Sequence, residues 1–419
     1  MTYTGTLDKA EVVDLYRRHV SVGQTETFTA AGIVFVKGRR EGIRVWDLDG
    51  RKELIDLHCC GGVYNLGHRN PEIIATLRAA LDELDIGNHH FISEQRALLA
   101  RKLAQLTPGE LVYTIYSVGG GEAVDLALRV ARAYTGRSKV VSMRGGYHGH
   151  TGLAIATADE RYRKPFGPLA PGFSQVPFND VPALQDALDR DVAAVILETA
   201  PATLGMVLPD QGYLEQVREL CDHNGTVMIV DETQTGLGRT GKVWGIDHFQ
   251  VVPDALVTAK GPSGGIYPIT ATCLRPELEQ IFHADPFVLH GSTYGGAELG
   301  CAVFLKVLEI CSDPGFLDHV NQMAALFEKG LAELKARFAD VIVGIHQLGL
   351  FMGIETVDAS LGLLAMKACF DNGLLCFFAN NGPSVIQVLP PLVIQRTEVT
   401  EVMERLDGAF RQLQRYMQA

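Results

Sequence analysis

The sequence predicts an α/β fold built on a mostly parallel sheet, and three observations predict it. Short, wholly apolar runs recur between helical segments, and runs without alternation are strands buried on both faces. Polar, glycine-rich segments follow the runs, where a sheet of this class presents its ligands. The chain has 419 residues, too many for one small domain and enough for a large core with a second unit packed on it.

In chain order, residues 8–20 read as a short amphipathic helix and residues 32–57 as strands. Ile43 to Asp56 alternates apolar and polar positions around Asp49-Gly50, a hairpin signal. Asp47 and Asp49 have the spacing of a calcium loop, but the rest of that pattern is missing and the turn reading wins. From about residue 70, helical periodicity covers 71–84, 93–106, 122–135, 181–189 and 211–224. It alternates with the apolar runs Lys139–Met143, Val192–Leu197, Thr226–Val230 and Ala255–Ala259. A long helical stretch at 294–337 leads into short strands and helices. The expected division is an N-terminal segment 1–65 packing with the small domain, a large domain 66–310, and a C-terminal small domain 311–419.

Apolar residues make up 47% of the chain and charged residues 21%, an ordinary globular composition. The net charge of −12 argues against nucleic acid as a partner and is compatible with cationic substrates. Met1 to Ala10 shows no basic start followed by an apolar stretch, so no secretory leader is visible. No apolar run approaches a membrane span. The eight cysteines are scattered, apart from adjacent Cys59 and Cys60, without zinc or disulfide spacing. The expectation is reduced thiols in a cytoplasmic protein.

Lys260 ends the run Ala255–Ala259 and enters Gly261-Pro-Ser-Gly-Gly265. A partly desolvated lysine loses its proton more readily and becomes a nucleophile. Such a lysine can hold an aldehyde cofactor, pyridoxal 5′-phosphate (PLP), as a Schiff base, and the other needs of that cofactor are met nearby. Its phosphate needs backbone N–H groups at a helix start. Val118-Gly-Gly-Gly-Glu-Ala123 opens a helix, although alone it also reads as a flexible turn. The pyridine nitrogen needs a carboxylate, and Asp231 ends the run Thr226–Val230. Gln234, one turn on, can reach the phenolic oxygen. Tyr147, just after Lys139–Met143, can cover the ring face. His148 and His150 follow it, but no carboxylate or third ligand is spaced to complete a metal site, so no metal is expected.

Two competing motifs lie between Asp231 and Lys260. Gly236-Leu-Gly-Arg-Thr-Gly241 matches a dinucleotide loop, yet Lys242-Val-Trp-Gly-Ile does not read as a helix start. The same stretch nearly matches a phosphate-binding P-loop, but Val243 stands where Ser or Thr must hold magnesium.

Together these residues resemble the class III aminotransferases, a fold-type I PLP family. Asp231-Glu-Thr-Gln-Thr-Gly-Leu-Gly-Arg-Thr-Gly241 follows the family's Asp-Glu-Val-x-x-Gly-x-Gly-Arg-Thr-Gly, with Lys260 at the family's spacing of 29 residues. Tyr147-His148-Gly149, the Asp47–Gly50 hairpin, Gly67-His-Arg-Asn-Pro71 and His290-Gly-Ser-Thr-Tyr-Gly-Gly296 match further motifs over nearly the whole chain. The resemblance implies a seven-stranded sheet in the large domain, a smaller α+β domain from both termini, and a homodimer with shared sites. It implies that Lys260 bonds the cofactor and then moves protons, and that Asp231 meets the pyridine nitrogen. Gln234, Tyr147, His148, Glu198 and the backbone of Gly120 and Gly121 would complete the cofactor contacts. Thr293 would reach the phosphate in the neighbouring subunit's site. Cys59, Cys60, Tyr64 and the segment Thr25–Val36 lie where related enzymes place substrate contacts, and local packing explains each equally well.

The departures bear on specificity. Gly119 and Gly121 replace hydroxyl-bearing or small side chains, Thr233 replaces valine, and Thr199 replaces proline. Gln387 stands where many glutamate- and ornithine-type members have an arginine that grips an α-carboxylate, and glutamine cannot form that bidentate pair. The reading is therefore transamination of a small-molecule primary amine or amino sugar. The chain, including Leu15-Tyr-Arg-Arg-His-Val-Ser21, is also similar to PLP enzymes of gentamicin- and sisomicin-type aminoglycoside biosynthesis. That likeness leaves elimination (a deoxygenating lyase) and epimerisation open, since neither needs an oxo-acid. A non-catalytic PLP-binding protein is a further reading, opposed by the intact Asp231, Gln234 and Lys260.

Overall fold

The computed structural model describes Gly5 and residues 7–285 and 291–418. Half of the opening stretch Met1–Ala10, namely Met1–Thr4 and Thr6, lies outside the described residues, as does His290.

A seven-stranded sheet organises the large part of the chain. Its strands lie in the order Tyr113–Ser117, Thr270–Leu274, Ala255–Thr258, Val227–Asp231, Val192–Glu198, Lys139–Met143 and Phe173–Val176. Thr270–Leu274 is antiparallel to both neighbours, and the other pairings are parallel. The chain has the expected α/β architecture, with a mostly parallel seven-stranded sheet.

Strand alternation explains why the apolar runs are continuous. Ala194 and Ile196 point to the face covered by the helix Gly120–Thr135, while Val195 and Leu197 point to the opposite face. There they meet the helices Glu94–Leu106, Tyr213–Asn224 and Glu298–Cys311. All seven residues of Val192–Glu198 are buried. Each such aliphatic side chain contributes roughly 1.5–3 kcal/mol, which holds the ligand edge of the sheet rigid.

A second core joins the two ends of the chain. Ile43, Ile55 and Leu57 pack with Val320, Phe327, Ile354 and Leu406. Two four-stranded sheets border this core. One pairs Lys37–Glu41, Arg44–Asp47 and Glu53–Asp56 with Leu374–Leu375. The other holds Ile342–Leu348, Phe351–Thr356, Gly382–Val388 and Phe377–Ala379 in that spatial order.

The hairpin at Asp49-Gly50 forms, with Trp46 opposite Glu53 and Gly50 at φ 70°. The Asp47 carboxylate accepts from the Val36 and Leu48 N–H groups and pairs with Lys9, which leaves it a structural role. The helical stretch expected at 294–337 is two helices, Glu298–Cys311 and Pro314–Arg337. Asp313 caps the second by accepting from Phe316 N, and Pro314 cannot continue the first.

Three strands of the seven-stranded sheet lack an apolar run in the sequence. Tyr113–Ser117 and Phe173–Val176 are edge strands with partly exposed positions, so they carry polar residues. Thr270–Leu274 is fully buried, but its threonines mask it. No described helix is long and apolar enough to cross a membrane.

Candidate active site

The carboxyl edge of the sheet brings two acids side by side. Glu198 is the register partner of Asp231, and Asp231 that of Val257. Three residues past Val257 the chain turns at Lys260, with φ 61° and ψ −83°. A non-glycine residue there stores about 1–3 kcal/mol of strain, which the surrounding fold must hold. The strained turn aims the lysine along the sheet edge. A cavity of about 440 Å³ opens here, lined by Lys260, Asp231, Glu198, Gln234, Tyr147 and His148 and by Gly119–Gly121.

Each acid has a different environment. Burial opposes charge on Asp231, but His148 outweighs it: Nδ1 lies 2.9 Å from Asp231 Oδ2. Thr233 adds its N–H at 3.0 Å and its hydroxyl, so the carboxyl is held below its ordinary range. Valine at position 233 has no hydroxyl, so this departure from the family pattern has a physical use. Burial of His148 is likewise outweighed by the hydrogen bond to Asp231, and its pKa is raised. Glu198 is pushed up to about 7, first by burial and then by Asp231, against the opposing charge of His148. Its carboxylate accepts from Tyr147 N at 3.0 Å and Ala202 N at 3.4 Å. Burial lowers the pKa of Lys260, against the pull of Asp231 and Glu198, and favours the free amine.

The helix Gly120–Thr135 starts at the cavity, capped by Gly119 without any side-chain bond. Its first N–H groups and positive dipole end therefore face the space. A Cβ at Gly121 would sit 2.7 Å from the Thr151 hydroxyl, and one at Gly120 3.2 Å from the Ala259 Cβ. Thr151 thus fills the place that a side chain at 121 would take. A Cβ on Gly61 would lie 2.9 Å from Gln234 Oε1 and 3.0 Å from Lys260 Nζ. This cradle fits a flat ring bearing a phosphate: anion-binding N–H groups at one end, a carboxylate–imidazole pair at the sheet edge, and a buried amine.

Residues 28–410 match the family Aminotransferase class-III. The chain belongs to the class-III aminotransferases. The aminotransferase is 54% identical over 410 residues to an uncharacterized aminotransferase of Archaeoglobus fulgidus, covering 98% of this chain and 96% of that one. It superposes on the ornithine aminotransferase of Toxoplasma gondii with a TM-score of 0.87 at 28% identity, covering 98% and 96% of the two chains. It also superposes on an (S)-enantioselective omega-transaminase of Thermomicrobium roseum, with a TM-score of 0.88 at 26% identity over 98% and 100%. The aminotransferase is a PLP-dependent enzyme of the transaminase type. When bound, PLP supplies an electron sink for the carbon that bears the substrate's amino group.

Among the residues expected to meet the cofactor or a substrate carboxylate, Thr293 and position 387 are not in the cavity lining of this subunit. Thr293 is exposed on the surface. Gln387 is buried and donates from Nε2 to the Ala202 carbonyl at 2.9 Å. The substrate candidates separate as well. Cys60 is exposed at φ 50° and close enough to Lys260 to act on its charge. Cys59 packs against Arg239, Tyr64 stacks on His68 at 4.1 Å, and Phe28, Ile33 and Phe35 form a small core with Val45 and Met366.

The competing motifs have structural roles. Gly236–Gly241 folds as turns, followed by bends and a single short 3-10 turn, Gly245–His248, rather than by an α-helix. Its Arg239 is fully buried and donates to the Leu350 and Pro390 carbonyls and to Asn65 Oδ1. Glu232 braces the loop by accepting from Thr235 Oγ1 and from the N–H groups of Gly245 and Ile246. It also accepts from the hydroxyl of Thr199, a bond that proline at 199 could not make. Among the described residues no group of three His, Cys, Asp or Glu side chains could hold a metal.

Gly61 and Thr151 were not visible as site residues. The double glycine Gly61-Gly62 after the strand Glu53–Asp56 was the available signal for the first, and Thr151 had none.

Proposed function

We propose that the enzyme transfers the amino group of a primary amine that lacks an α-carboxylate beside it, with an amino sugar of the aminoglycoside kind as the favoured example. One observation carries this. Gln387 is neutral and committed to the Ala202 carbonyl, and among the described residues no arginine lines the cavity. A carboxylate brought into this space would meet Glu198 and Asp231 without a guanidinium to offset them. An amine carrying further ammonium groups meets the opposite situation, and the net charge of −12 favours its approach.

In this reading Lys260 bonds the cofactor aldehyde and, once displaced, carries a proton between the substrate carbon and the cofactor. Asp231, backed by His148, holds the proton on the pyridine nitrogen. Gln234 bonds the phenolic oxygen, Tyr147 covers a ring face, and Gly120 and Gly121 hold the phosphate. Two copies are proposed to share their sites, supported by exposed Thr293 and by Phe91, Ile92 and Tyr294, three large hydrophobic side chains left open to water in the single chain. The eight free cysteines support action in a reducing compartment, the cytoplasm.

The test is a half-reaction. The PLP-loaded enzyme is mixed with an amino sugar and no oxo-acid, and the cofactor is followed by absorbance. Stoichiometric conversion of the cofactor to its amine form supports the reading. Multiple turnovers with the aldehyde form retained, giving a dehydrated or epimerised product, would replace it with lyase or epimerase chemistry.

A further inference from the structure

The strongest unassigned arrangement is at the tip of the hairpin between Phe377–Ala379 and Gly382–Val388. Asn381 stands there, beside the C-terminal sheet, and its backbone N–H and both polar atoms of its side chain are spent on segments that flank the large sheet. Its backbone N–H donates to Thr203 O at 2.8 Å. Its side-chain Nδ2 donates to Gly145 O at 2.7 Å. Its Oδ1 accepts from the Tyr162 hydroxyl at 3.0 Å and from the Arg161 guanidinium. The hairpin is seated closely: a Cβ on Gly382 would lie 2.5 Å from Leu204 O.

Gly145 is the point where these contacts matter. It has φ 78°, and a Cβ there would strike Leu204 Cδ1 at 2.5 Å. Its N–H donates to Asp159 Oδ1 at 3.0 Å, and its carbonyl also takes the Thr203 hydroxyl at 2.9 Å. Two residues on, Tyr147 N donates to Glu198. The short segment 145–147 is therefore held at both ends, and the hold from the second sheet comes through Asn381. A tilt of the Gly145 peptide would be transmitted over two residues to the ring of Tyr147.

We propose that Asn381 is a positioning residue: through the carbonyl of Gly145 it sets the segment that carries Tyr147, and so couples the seating of the C-terminal hairpin to the ring-face contact in the cavity. This rests on the reading that Tyr147 covers the cofactor ring.

The informative variant is Asn381→Asp. It keeps an acceptor for Tyr162 and Arg161, so the hairpin tip stays docked, but it turns an oxygen toward the Gly145 carbonyl, where a donor stood. That carbonyl keeps the Thr203 hydroxyl, so no acceptor is orphaned. In the PLP-loaded enzyme, Asn381→Asp is expected to lower kcat about tenfold while KM moves less than about threefold. The visible circular dichroism of the bound cofactor should weaken with it, and the melting temperature of the cofactor-free protein should stay near wild type. Tyr162→Phe, which removes a bond on the other side of Asn381, should leave the dichroism unchanged. In a Tyr147→Ala background, Asn381→Asp should add less than about a twofold effect, because both act on one contact.

Unchanged dichroism and kcat in Asn381→Asp, or full multiplication of the two effects in the double variant, would overturn the proposal. Asn381→Ala provides the same readings if the aspartate variant is poorly folded. If Tyr147→Ala itself leaves the dichroism untouched, the ring-face reading has failed. If it alters the dichroism and neither Asn381 variant does, the coupling has failed.

Discussion

His148 Nδ1 lies 2.9 Å from Asp231 Oδ2, and both side chains are almost wholly shut from solvent. Removal of the imidazole leaves an acid buried at the edge of the main sheet. Breaking a buried pair by deleting one partner costs about 3–5 kcal/mol. His148→Ala is expected to lower the unfolding free energy of the cofactor-free protein by about that amount, and to lower it less with PLP bound, because the pyridinium then supplies a cation. His148→Asn keeps a donor and should recover part of the loss. Denaturant titration with and without PLP measures both. Equal losses in the two forms would mean that Asp231 does not meet the cofactor.

Glu198 carries a pH signature. Its pKa is raised from 4.5 to about 7 by burial, with His148, Asp231 and Lys260 as the charges that face it. A carboxyl whose folded pKa is raised contributes stability that is complete below 4.5 and is lost as pH rises through about 7. The interval corresponds to roughly 3 kcal/mol. Glu198→Gln cannot titrate. Its cofactor-free form should therefore lack that component of the decline between pH 4.5 and about 7, read as the difference in unfolding free energy from wild type. Parallel curves for the two proteins would show that Glu198 ionises normally.

Much of the frame was legible because burial on both faces leaves a plain mark. Val192–Glu198, Val227–Asp231 and Ala255–Thr258 are apolar runs followed by the chemical residues Glu198, Asp231 and Lys260. The edge strand Tyr113–Ser117 and the threonine-bearing Thr270–Leu274 were not legible, since neither is an apolar run. The site divides the same way. Residues that end a strand could be found by position. Gly61, Thr151 and Asn381 could not, because their contacts come from sequence-distant loops and depend on the fold being complete. The uses of Thr199 and Thr233 also needed coordinates: each departs from the family pattern to give a hydroxyl to a buried carboxylate, Glu232 and Asp231 respectively.

Lys260 is held by its backbone as much as by its neighbours, with φ 61° and its carbonyl accepting from the Ser263 hydroxyl at 2.6 Å. Lys260→Ala removes the amine and keeps that carbonyl bond, so the fold should survive. The variant is expected to lose the visible absorption of the lysine-bound cofactor and to lose about 10⁴-fold or more in turnover, since the nucleophile and proton carrier are the same group. Retained turnover within about tenfold of wild type would remove Lys260 from the chemistry.

The loop Cys59–Gly62, whose Gly61 lies against Gln234 and Lys260, gives the sharpest steric test. Cys59, Cys60, Gly61 and Gly62 all have positive φ, with Gly61 at 66°. At Gly61 the side chain is excluded twice over. The backbone conformation costs alanine about 1 kcal/mol relative to glycine, and the added Cβ would lie 2.9 Å from Gln234 Oε1 and 3.0 Å from Lys260 Nζ. Both atoms belong to flexible side chains that can retreat, so the fold absorbs the methyl while the site loses its geometry. Gly61→Ala is therefore expected to cost about 1–2 kcal/mol of stability but to weaken PLP retention and kcat by at least about tenfold, the two groups displaced being those proposed for the aldehyde and phenolic oxygen. Equilibrium dialysis of the cofactor against the variant, beside a denaturation curve, separates the effects. A stability loss with unaltered PLP affinity would mean that Gln234 and Lys260 do not work from the positions they hold here.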